Sequence, residues 1–265
     1  MPEGDTVFVA ATRLHNALAG KTLTKTDFRV PSIATSDLSG RRLLEVASRG
    51  KHFLFRVEGG VTFHNHFKME GEWHLYRPGV SWRGPGHAIR AVLETEDWRA
   101  VGFHLAMTEL VPTEREDEIV GHLGPDPLTS WDADEALGRL RLQAERPIGE
   151  TLLDQTVIAG PGNVYKCEIC FLRGVDPWTP VAAVPDHEGL VDLTRRLLQA
   201  NRTTGTQITT GDDRPGRQRW VYGRGGQPCR RCGTRIERKA QEPGGERVTY
   251  WCPSCQPRRP AGGDP

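Results

Sequence analysis

The chain has 265 residues, and at about 100–200 residues per domain this length suggests two domains with a small appendage. Hydrophobic residues make up 37% and charged residues 26%, which excludes an intrinsically disordered chain. No apolar run reaches the roughly 18 residues of a transmembrane helix, and the acidic N-terminus lacks the apolar core of a signal peptide. Six cysteines are too few for a disulfide scaffold, so we expect a soluble, cytoplasmic protein.

Charge is distributed unevenly along the chain. Residues 195–265 carry 15 Lys and Arg against 6 Asp and Glu, a net of +9, whereas residues 1–194 carry 20 against 28, a net of −8. Such asymmetry points to a polyanion-binding end, although a solvated basic tail gives the same pattern.

The first 110 residues predict one helix followed by strands. Apolar residues from Val7 to Leu18 follow helical spacing, and Gly20 is placed to end the helix. Short runs rich in β-branched and aromatic residues, separated by glycine-containing turns, then predict an antiparallel sandwich or barrel. These runs are residues 22–30, 43–47, 52–57, 61–67, 73–76, 88–93 and 101–105.

Helical patterns begin after a linker over residues 111–130. The polar stretch 201–216, rich in Gly and Thr, predicts a mobile loop, and the Pro-rich end of the chain predicts disorder. The predicted helices cover residues 131–143, 148–159, 164–172 and 187–200.

Two Cys-x2-Cys pairs near the C-terminus have the spacing of a structural zinc site. The pairs Cys229/Cys232 and Cys252/Cys255 are separated by 19 residues, which suits a four-thiolate tetrahedral site closed by a β-hairpin. Two pairs of unrelated buried thiols are the alternative. Zinc would supply the folding free energy of this small segment. Cys167 and Cys170 form a third pair without a partner, and we interpret them as packing residues on a helix.

Arginines and aromatic residues are interleaved around this hairpin, which is typical of a surface that binds a phosphate backbone. Protein or nucleotide ligands are the alternatives that this feature leaves open. The residues concerned are Arg214, Arg217, Arg219, Trp220, Tyr222, Arg224, Arg230, Arg231, Arg235, Arg238, Lys239, Arg247 and Trp251.

Residues 160–162, Gly-Pro-Gly, cannot lie inside a helix and therefore join two helices. We place Asn163 at the N-cap of the second helix. Asn163 either only caps that helix, or its side chain adds a hydrogen-bond donor to the free backbone amides at the helix start, where the glycines let a phosphate approach.

The N-terminus offers a catalytic group. Met1 precedes a small residue, Pro2, so we expect its removal, which leaves a secondary amine. Such an amine can add to a sugar aldehyde carbon and form an iminium ion, while Glu3 can protonate a leaving oxygen. Alternatively, Pro2 and Glu3 simply start a helix.

Four separated blocks, in the same order, resemble the Fpg/Nei (formamidopyrimidine-DNA glycosylase / endonuclease VIII) family, with the closest likeness to its actinobacterial endonuclease VIII-like branch. They are residues 1–5 (MPEGD), residues 48–52 with 66–71, residues 153–165, and residues 221–256 with both cysteine pairs. The likeness covers nearly the whole chain.

The resemblance implies an α+β fold in four parts. These are a β-sandwich catalytic domain with a leading helix (1–128), a helix–two-turn–helix DNA-binding domain (129–215), a β-hairpin zinc ribbon (221–257) and a disordered tail (258–265).

The resemblance also implies a bifunctional DNA glycosylase and abasic-site lyase of base excision repair, which flips the damaged base out of the duplex. Pro2 matches the family's nucleophile and Glu3 its general acid. Lys51, on the strand after Gly50, matches the lysine of β-elimination, and Arg247 the arginine of δ-elimination. His66 and Asn163 match phosphate contacts. Met69 matches a residue that fills the void left by the flipped base, although it also suits the apolar face of a strand.

Some residues depart from the family pattern. Thr6 stands where relatives often carry glutamate. The formamidopyrimidine enzymes carry an arginine and an aromatic residue that face the orphan base in the loop before the last strand, and residues 96–101 give no clear match to that loop. Loop 201–216 also differs from the loop that covers oxidised guanine, so we expect oxidised pyrimidines to be favoured.

The alternative functions are a glycosylase for oxidised purines and a non-enzymatic zinc-ribbon protein that binds damaged DNA. We expect a monomer with one structural zinc, associated with the nucleoid, that binds double-stranded DNA and no membrane; binding of single-stranded DNA stays open.

Overall fold

A computed structural model of the chain describes residues 2–241 and 247–258. The chain divides into two compact units, Met1–His122 and Leu123–Pro265. Across the described residues, no helix combines the length and apolar character needed to span a membrane. Residues 259–265, most of the tail predicted to be disordered, lie outside the described residues.

Helix α1 (Gly4–Leu18) opens unit 1 as the sequence predicts. Val7, Leu14 and Leu18 recur at helical spacing and are buried in the core. The helix ends where Gly20 takes a φ of +78°, a left-handed conformation that glycine adopts without steric cost.

Two four-stranded antiparallel sheets follow, and they confirm the predicted sandwich. Their orders are β1-β6-β7-β5 and β2-β3-β4-β8. The strands are β1 (Lys25–Phe28), β2 (Leu43–Arg49), β3 (His52–Val57), β4 (Val61–His66), β5 (Glu72–Tyr76), β6 (Ile89–Glu94), β7 (Arg99–Phe103) and β8 (Ala106–Pro112).

The eighth strand, β8, was not predicted, because the sequence analysis ended the strands at residue 105. Its pattern hides the strand: Met107 is exposed and Glu109 and Leu110 are both half-buried, so no clean alternation of apolar and polar residues appears. β8 nevertheless completes the sheet by pairing with β4.

The two faces of the β2-β3-β4-β8 sheet differ in chemistry. Phe53, Phe55 and Phe63 fill the sandwich core together with α1 and the other sheet. The opposite face is polar and also buried: His64 and Thr62 are fully inaccessible. The short helix α2 (Asp117–Val120) follows β8.

Unit 2 begins with helices and ends with a two-stranded sheet. Its elements are α3 (Ala133–Arg141), α4 (Ile148–Thr151), α5 (Asn163–Arg173), α6 (His187–Asn201), β9 (Glu237–Ala240) and β10 (Val248–Trp251), with β9 and β10 antiparallel.

The helix predicted over residues 148–159 is wrong beyond residue 151. Backbone groups of this stretch bond to another segment instead: Gly124 N–H donates to Gln155 O at 2.8 Å, and Ala159 N–H to Pro125 O at 3.1 Å. The Asp154 carboxylate accepts the N–H of Thr156 at 3.0 Å, a local bond that competes with helix formation. Only one helical turn therefore precedes the Gly-Pro-Gly junction.

Loop 201–216 is fixed at several points rather than wholly mobile. The side chain of Asn201, which is buried, accepts from the Ile208 N–H at 2.9 Å and donates to the Ile208 carbonyl at 3.0 Å. Thr209 N–H donates to Gln218 O at 2.8 Å. These bonds tie the loop to α6 at one end and to the chain before the hairpin at the other.

Candidate functional site

Glu3 lies at the start of α1, where its carbonyl oxygen accepts the first helical hydrogen bond, from Val7 N–H at 3.0 Å. Its side chain makes no capping bond to its own helix, yet it is fully buried. Starting a helix accounts for the backbone of Glu3 but not for burial of its carboxyl group, since burying a carboxylate costs free energy that neighbouring groups must offset. Pro2, beside it, is partly buried. Met1 lies outside the described residues.

Lys51 lies in the tight turn between β2 and β3, one residue before β3 rather than on the strand as predicted. Gly50 precedes it with a φ of +58°, so the turn requires this glycine. The charge of Lys51 contributes to lowering the pKa of His52 and of His66, after the effect of burial. Lys51 therefore lies within electrostatic reach of both imidazoles.

His66 ends β4 opposite His52. Its Nδ1 accepts the backbone N–H of Lys68 at 2.7 Å, so Nδ1 carries no proton and Nε2 carries one. Burial and then the charge of Lys51 lower the pKa of His66 to about 4. At neutral pH His66 is thus a neutral N–H donor, which suits a hydrogen bond to a phosphate oxygen without an ion pair.

Met69 is 61% exposed in the turn after β4, and Met107 is 50% exposed near the start of β8. The pairing of His66 with Ala106 brings both to the same end of the sheet. Lys68, His104 and Met107 have φ values of 48–49°, and such strain in non-glycine residues is common at ligand-binding sites. Met69 does not lie on an apolar strand face, the alternative that the sequence allowed.

The segment assigned to the orphan base is corrected by the fold. Residues 96–98 form the turn between β6 and β7, and the last strand of unit 1 is β8. The loop before that strand is therefore residues 104–105, which include the strained His104. The sequence analysis missed it because it had not found β8.

Asn163 is the first residue of α5, and Gly162 is the N-cap, which corrects the predicted capping role. The Asn163 side chain is buried, and its Nδ2 donates to the carbonyl oxygen of Val248 at 2.9 Å. Among the described residues its Oδ1 has no hydrogen-bond partner. One amide hydrogen thus ties the helix start to β10, and Nδ2 carries a second.

Arg247 immediately precedes β10. A second bond also connects this strand with α5: the buried Lys166 donates from Nζ to Thr249 Oγ1. Thr249 in turn donates to Gln241 Oε1 at 2.8 Å, and Gln241 N–H donates to the Arg247 carbonyl at 3.3 Å. Two hydrogen bonds from α5 therefore hold the first two residues of β10, directly after Arg247.

The four cysteines predicted to bind zinc lie together. Their sulfurs are all within 4.8 Å of one another, with 3.9 Å between Cys229 and Cys255 and 3.5 Å between Cys232 and Cys252. Zn–S bonds of about 2.3 Å in a tetrahedron place sulfurs about 3.8 Å apart. The four thiolates fit one structural zinc ion and would fill its tetrahedral coordination sphere.

Cys167 and Cys170 are fully buried on α5, as the packing interpretation predicts. Burial raises the pKa of the Cys170 thiol, which keeps it protonated. Cys167 belongs to a small core that also contains residues of the ribbon. That core consists of Cys167, Phe171, Val221, Cys229, Ile236 and Cys252.

Several arginines of the predicted basic surface have structural roles. Arg224 donates to the carbonyl oxygens of Trp220 and Pro228, and Arg230 to those of Arg219 and Gly216. Arg231 instead lies over the Phe171 ring, 4.4 Å from its centroid. Part of the positive charge thus stabilises loops of the ribbon.

Sequence analysis missed Glu168, which is fully buried on α5. Its carboxylate accepts the N–H groups of Trp220, Val221 and Tyr222, each at 2.8 Å, and the hydroxyl of Thr209. A charged acceptor suits this set of donors, because hydrogen bonds to ionised groups are stronger than neutral ones. Its signal was weak, since a single glutamate in an amphipathic helix is ordinarily a surface residue.

Three family models match the chain along most of its length. Residues 1–108 match the N-terminal domain of formamidopyrimidine-DNA glycosylase, residues 123–210 its H2TH domain, and residues 226–258 the zinc finger found in FPG and IleRS. The chain belongs to the formamidopyrimidine-DNA glycosylase family, as its sequence blocks predict.

Two relatives match at high identity. A probable endonuclease 8 2 of Streptomyces coelicolor is 52% identical over 261 residues, which cover 97% of this chain and 94% of the relative. A DNA-(apurinic or apyrimidinic site) lyase Nei2 of Mycolicibacterium smegmatis is 49% identical over 257 residues, which cover 97% and 99%.

The fold also matches solved structures. The Lactococcus lactis Fpg in complex with DNA containing an abasic site aligns with a TM-score of 0.80 at 22% identity, covering 97% of this chain and 100% of that chain. This similarity shows the fold.

Proposed function

We propose that the chain is a bifunctional DNA glycosylase and abasic-site lyase that removes oxidised bases, with pyrimidines favoured. The observation that carries the proposal is the fully buried Glu3 carboxyl group directly after Pro2, which a purely structural helix start does not require. Family membership and the names of the two relatives support the same activity. Zinc, held by the four cysteines, contributes ribbon stability and no chemical step.

In this proposal the amine of Pro2, freed by removal of Met1, attacks C1′ of the sugar. The N–C1′ bond forms while the bond to the base breaks, and the electron pair leaves with the base. Glu3 acts as the general acid in sugar-ring opening and base release: the C1′–O4′ bond breaks as O4′ takes up a proton. The resulting iminium ion acidifies C2′, so that loss of a C2′ proton expels the 3′ phosphate and a second elimination expels the 5′ phosphate.

We assign the remaining predicted residues to DNA contacts and proton transfer. Lys51 takes part in β-elimination, and Arg247 binds phosphate and assists δ-elimination, since a guanidinium can hold a phosphate diester with two hydrogen bonds. His66 donates its Nε2–H to a phosphate. Asn163 donates the second hydrogen of Nδ2, because the first is used by Val248.

The target base must leave the stack before its sugar can be attacked. Met69 is suited to fill the void, because it is exposed and flexible, and Met107 at the same sheet end is a second candidate. The preference for pyrimidines rests on loop 201–216.

We further propose the four-part domain division, a monomeric state and a cytoplasmic, nucleoid-associated location.

Borohydride reduction in the presence of abasic-site duplex DNA tests the activity. The reagent reduces the iminium ion to a stable amine, so processed protein should become covalently attached to DNA. Protein that keeps Met1, verified by mass spectrometry, should bind the same DNA but form no adduct, because its proline nitrogen is part of an amide. Absence of an adduct with processed protein would favour the non-enzymatic DNA-binding alternative, and strand cleavage by protein that keeps Met1 would make Lys51 the next candidate amine.

A further inference from the structure

A chain of hydrogen bonds crosses the polar face of the β2-β3-β4-β8 sheet. Glu109 Oε1 lies 2.8 Å from His64 Nδ1, and His64 Nε2 lies 2.8 Å from His52 Nδ1. The two imidazoles stack with centroids 5.1 Å apart and an interplanar angle of 17°. Strand register fixes the arrangement, since His64 pairs with Glu109 across β4 and β8.

The hydrogen bonds have a defined direction. An ionised carboxylate can only accept, so His64 Nδ1 donates to Glu109. The Nε2 of a neutral His64 must then accept, and His52 Nδ1 donates to it. His52 consequently presents a bare Nε2, whereas His66, its partner across the strands, has the opposite tautomer and presents an Nε2–H.

The surroundings keep the imidazoles neutral. Burial, and then positive charge on neighbouring groups, lowers the pKa of His52 to about 3. Burial also lowers the pKa of His64, although Glu109 opposes this effect. The titratable and charged groups around this series of hydrogen bonds are Lys51, His66, Lys68, Glu116 and His122.

We propose that Glu109, His64 and His52 form a proton relay that takes one proton from Lys51 during elimination and later returns it. The proton enters at His52 Nε2, the Nδ1 proton of His52 moves to His64 Nε2, and the Nδ1 proton of His64 moves to the Glu109 carboxylate. The three residues together take up one proton, which leaves the Glu109 carboxyl group protonated. The reverse transfer restores the starting state. The three residues act through Lys51 and are not catalytic residues themselves. The inference rests on the proposed lyase function.

The charge balance explains why such a relay suits this buried face. A single buried imidazole would become a cation on taking up a proton, which burial and Lys51 both oppose. In the relay, the charge of the triad changes from −1 to 0, and no buried cation forms. The acceptor at the end, Glu109, has a side chain that is 46% exposed. Lys51 lies within electrostatic reach of His52, and the relay requires its amine to meet His52 Nε2 when DNA is bound.

Glu109→Gln is the decisive variant. The glutamine carbonyl can still accept from His64 Nδ1, but it cannot take up the proton. Single-turnover cleavage of a preformed abasic-site duplex should slow by about tenfold to a hundredfold, within the range of one proton-transfer group, and the pH profile of the rate should change shape. Glu109→Asp keeps a protonatable oxygen and should recover part of the rate. The matched control is Glu72→Gln, which removes the exposed carboxylate beside the half-buried His74 and should leave rate and pH profile unchanged.

Nitrogen-15 NMR of the free protein, with both histidine nitrogens labelled, reads the tautomers independently of activity. We expect the proton of His52 on Nδ1 and that of His66 on Nε2. A proton on Nε2 of His52, or a Glu109→Gln variant with the wild-type rate and pH profile, would overturn the relay. Wild-type protein that forms no borohydride adduct would overturn the proposed lyase function. Failure of the relay alone would leave this adduct intact, so the two failures are distinguishable. If Glu109→Gln does not fold, the nitrogen-15 spectrum of the wild-type protein decides, because a proton on Nε2 of His52 rejects the relay.

Discussion

The side-chain amide of Asn163 donates to the carbonyl oxygen of Val248 at 2.9 Å, which joins the first residue of α5 to the strand that follows Arg247. A residue that sequence reasoning assigned to capping or to phosphate contact therefore has a second task. It fixes the backbone from which the proposed phosphate-binding arginine extends.

Asn163→Ala should lower affinity for abasic-site DNA by about tenfold, because it removes this tether, worth about 1 kcal/mol, together with a phosphate donor. Fluorescence anisotropy at constant salt measures the loss. Asn16→Ala, at an exposed position of α1, is the control and should bind normally. Unchanged affinity in Asn163→Ala would reject both assigned tasks.

Glu168→Gln should destabilise unit 2 by about 2–4 kcal/mol. The amide group replaces one carboxylate oxygen with an NH2 group, which then faces N–H donors that lose their acceptor inside the protein. Urea unfolding followed by tryptophan fluorescence reports the change. Glu188→Gln, in an exposed ion pair with Arg141, should cost less than about 1 kcal/mol. Equal effects of the two variants would contradict the role of Glu168.

Cys229→Ser should reduce the zinc content from one per chain to none and unfold the ribbon. Because Cys167 and Phe171 of α5 share a core with the ribbon, this loss should also destabilise α5, while unit 1 stays folded. Metal analysis and hydrogen exchange measure the two effects. Cys170→Ala removes a cysteine outside the cluster and should keep its zinc. A folded, zinc-free Cys229→Ser ribbon would refute the prediction.

The buried histidines should make unit 1 less stable in acid. The pKa of His52 falls to about 3 in the folded chain, below its ordinary value near 6.5. Between these values the unfolded state binds a proton that the folded state does not, so stability falls as pH decreases from about 6.5 to about 3. For His52 the loss reaches about 2 kcal/mol at pH 5. Denaturant unfolding at pH 7.5 and 5 measures it.

His52→Gln should remove part of this pH dependence, and His74→Gln, at a half-buried site on β5, should not. An acid sensitivity that is the same in His52→Gln as in the wild type would exclude His52 as its source.

Glu3→Gln should lose base excision and retain some cleavage of preformed abasic sites, because those sites have no base to expel. The two activities are measured on duplexes that carry either an oxidised pyrimidine or an abasic site. Glu58→Gln, at an exposed turn, is the control. Full base excision by Glu3→Gln would remove Glu3 from the mechanism.

The sequence predicted the elements whose apolar residues recur with a regular helical or strand spacing. Helix α1, seven of the eight strands of unit 1 and the cysteine ribbon follow from such patterns and spacing. Strand β8 did not, because Glu109 and Leu110, which lie on its two faces, are both half-buried, so apolar and polar residues do not alternate cleanly along it. The helix over residues 148–159 failed because backbone bonds to residues 124 and 125 outweigh local helical propensity.

Candidate residues were found where a local motif carried them, as with Pro2, Glu3 and Lys51. His64 and Glu109 were not found, because they lie 45 positions apart and meet only through strand pairing. Their contact depends on strand register, which no short stretch of sequence specifies. The tie between Asn163 and Val248 spans 85 positions and was hidden because it depends on the packing of α5 against β10.

The ribbon and α5 divide one small core between them. Phe171 and Cys167 come from the helix, whereas Val221, Ile236 and Cys252 come from the ribbon or the segment leading to it. An exchange of the ribbon between two members of the family would therefore bring together halves that had changed separately. We expect such chimaeras to retain function only when positions 167 and 171 are exchanged along with the ribbon, so that these separated stretches are inherited as one unit.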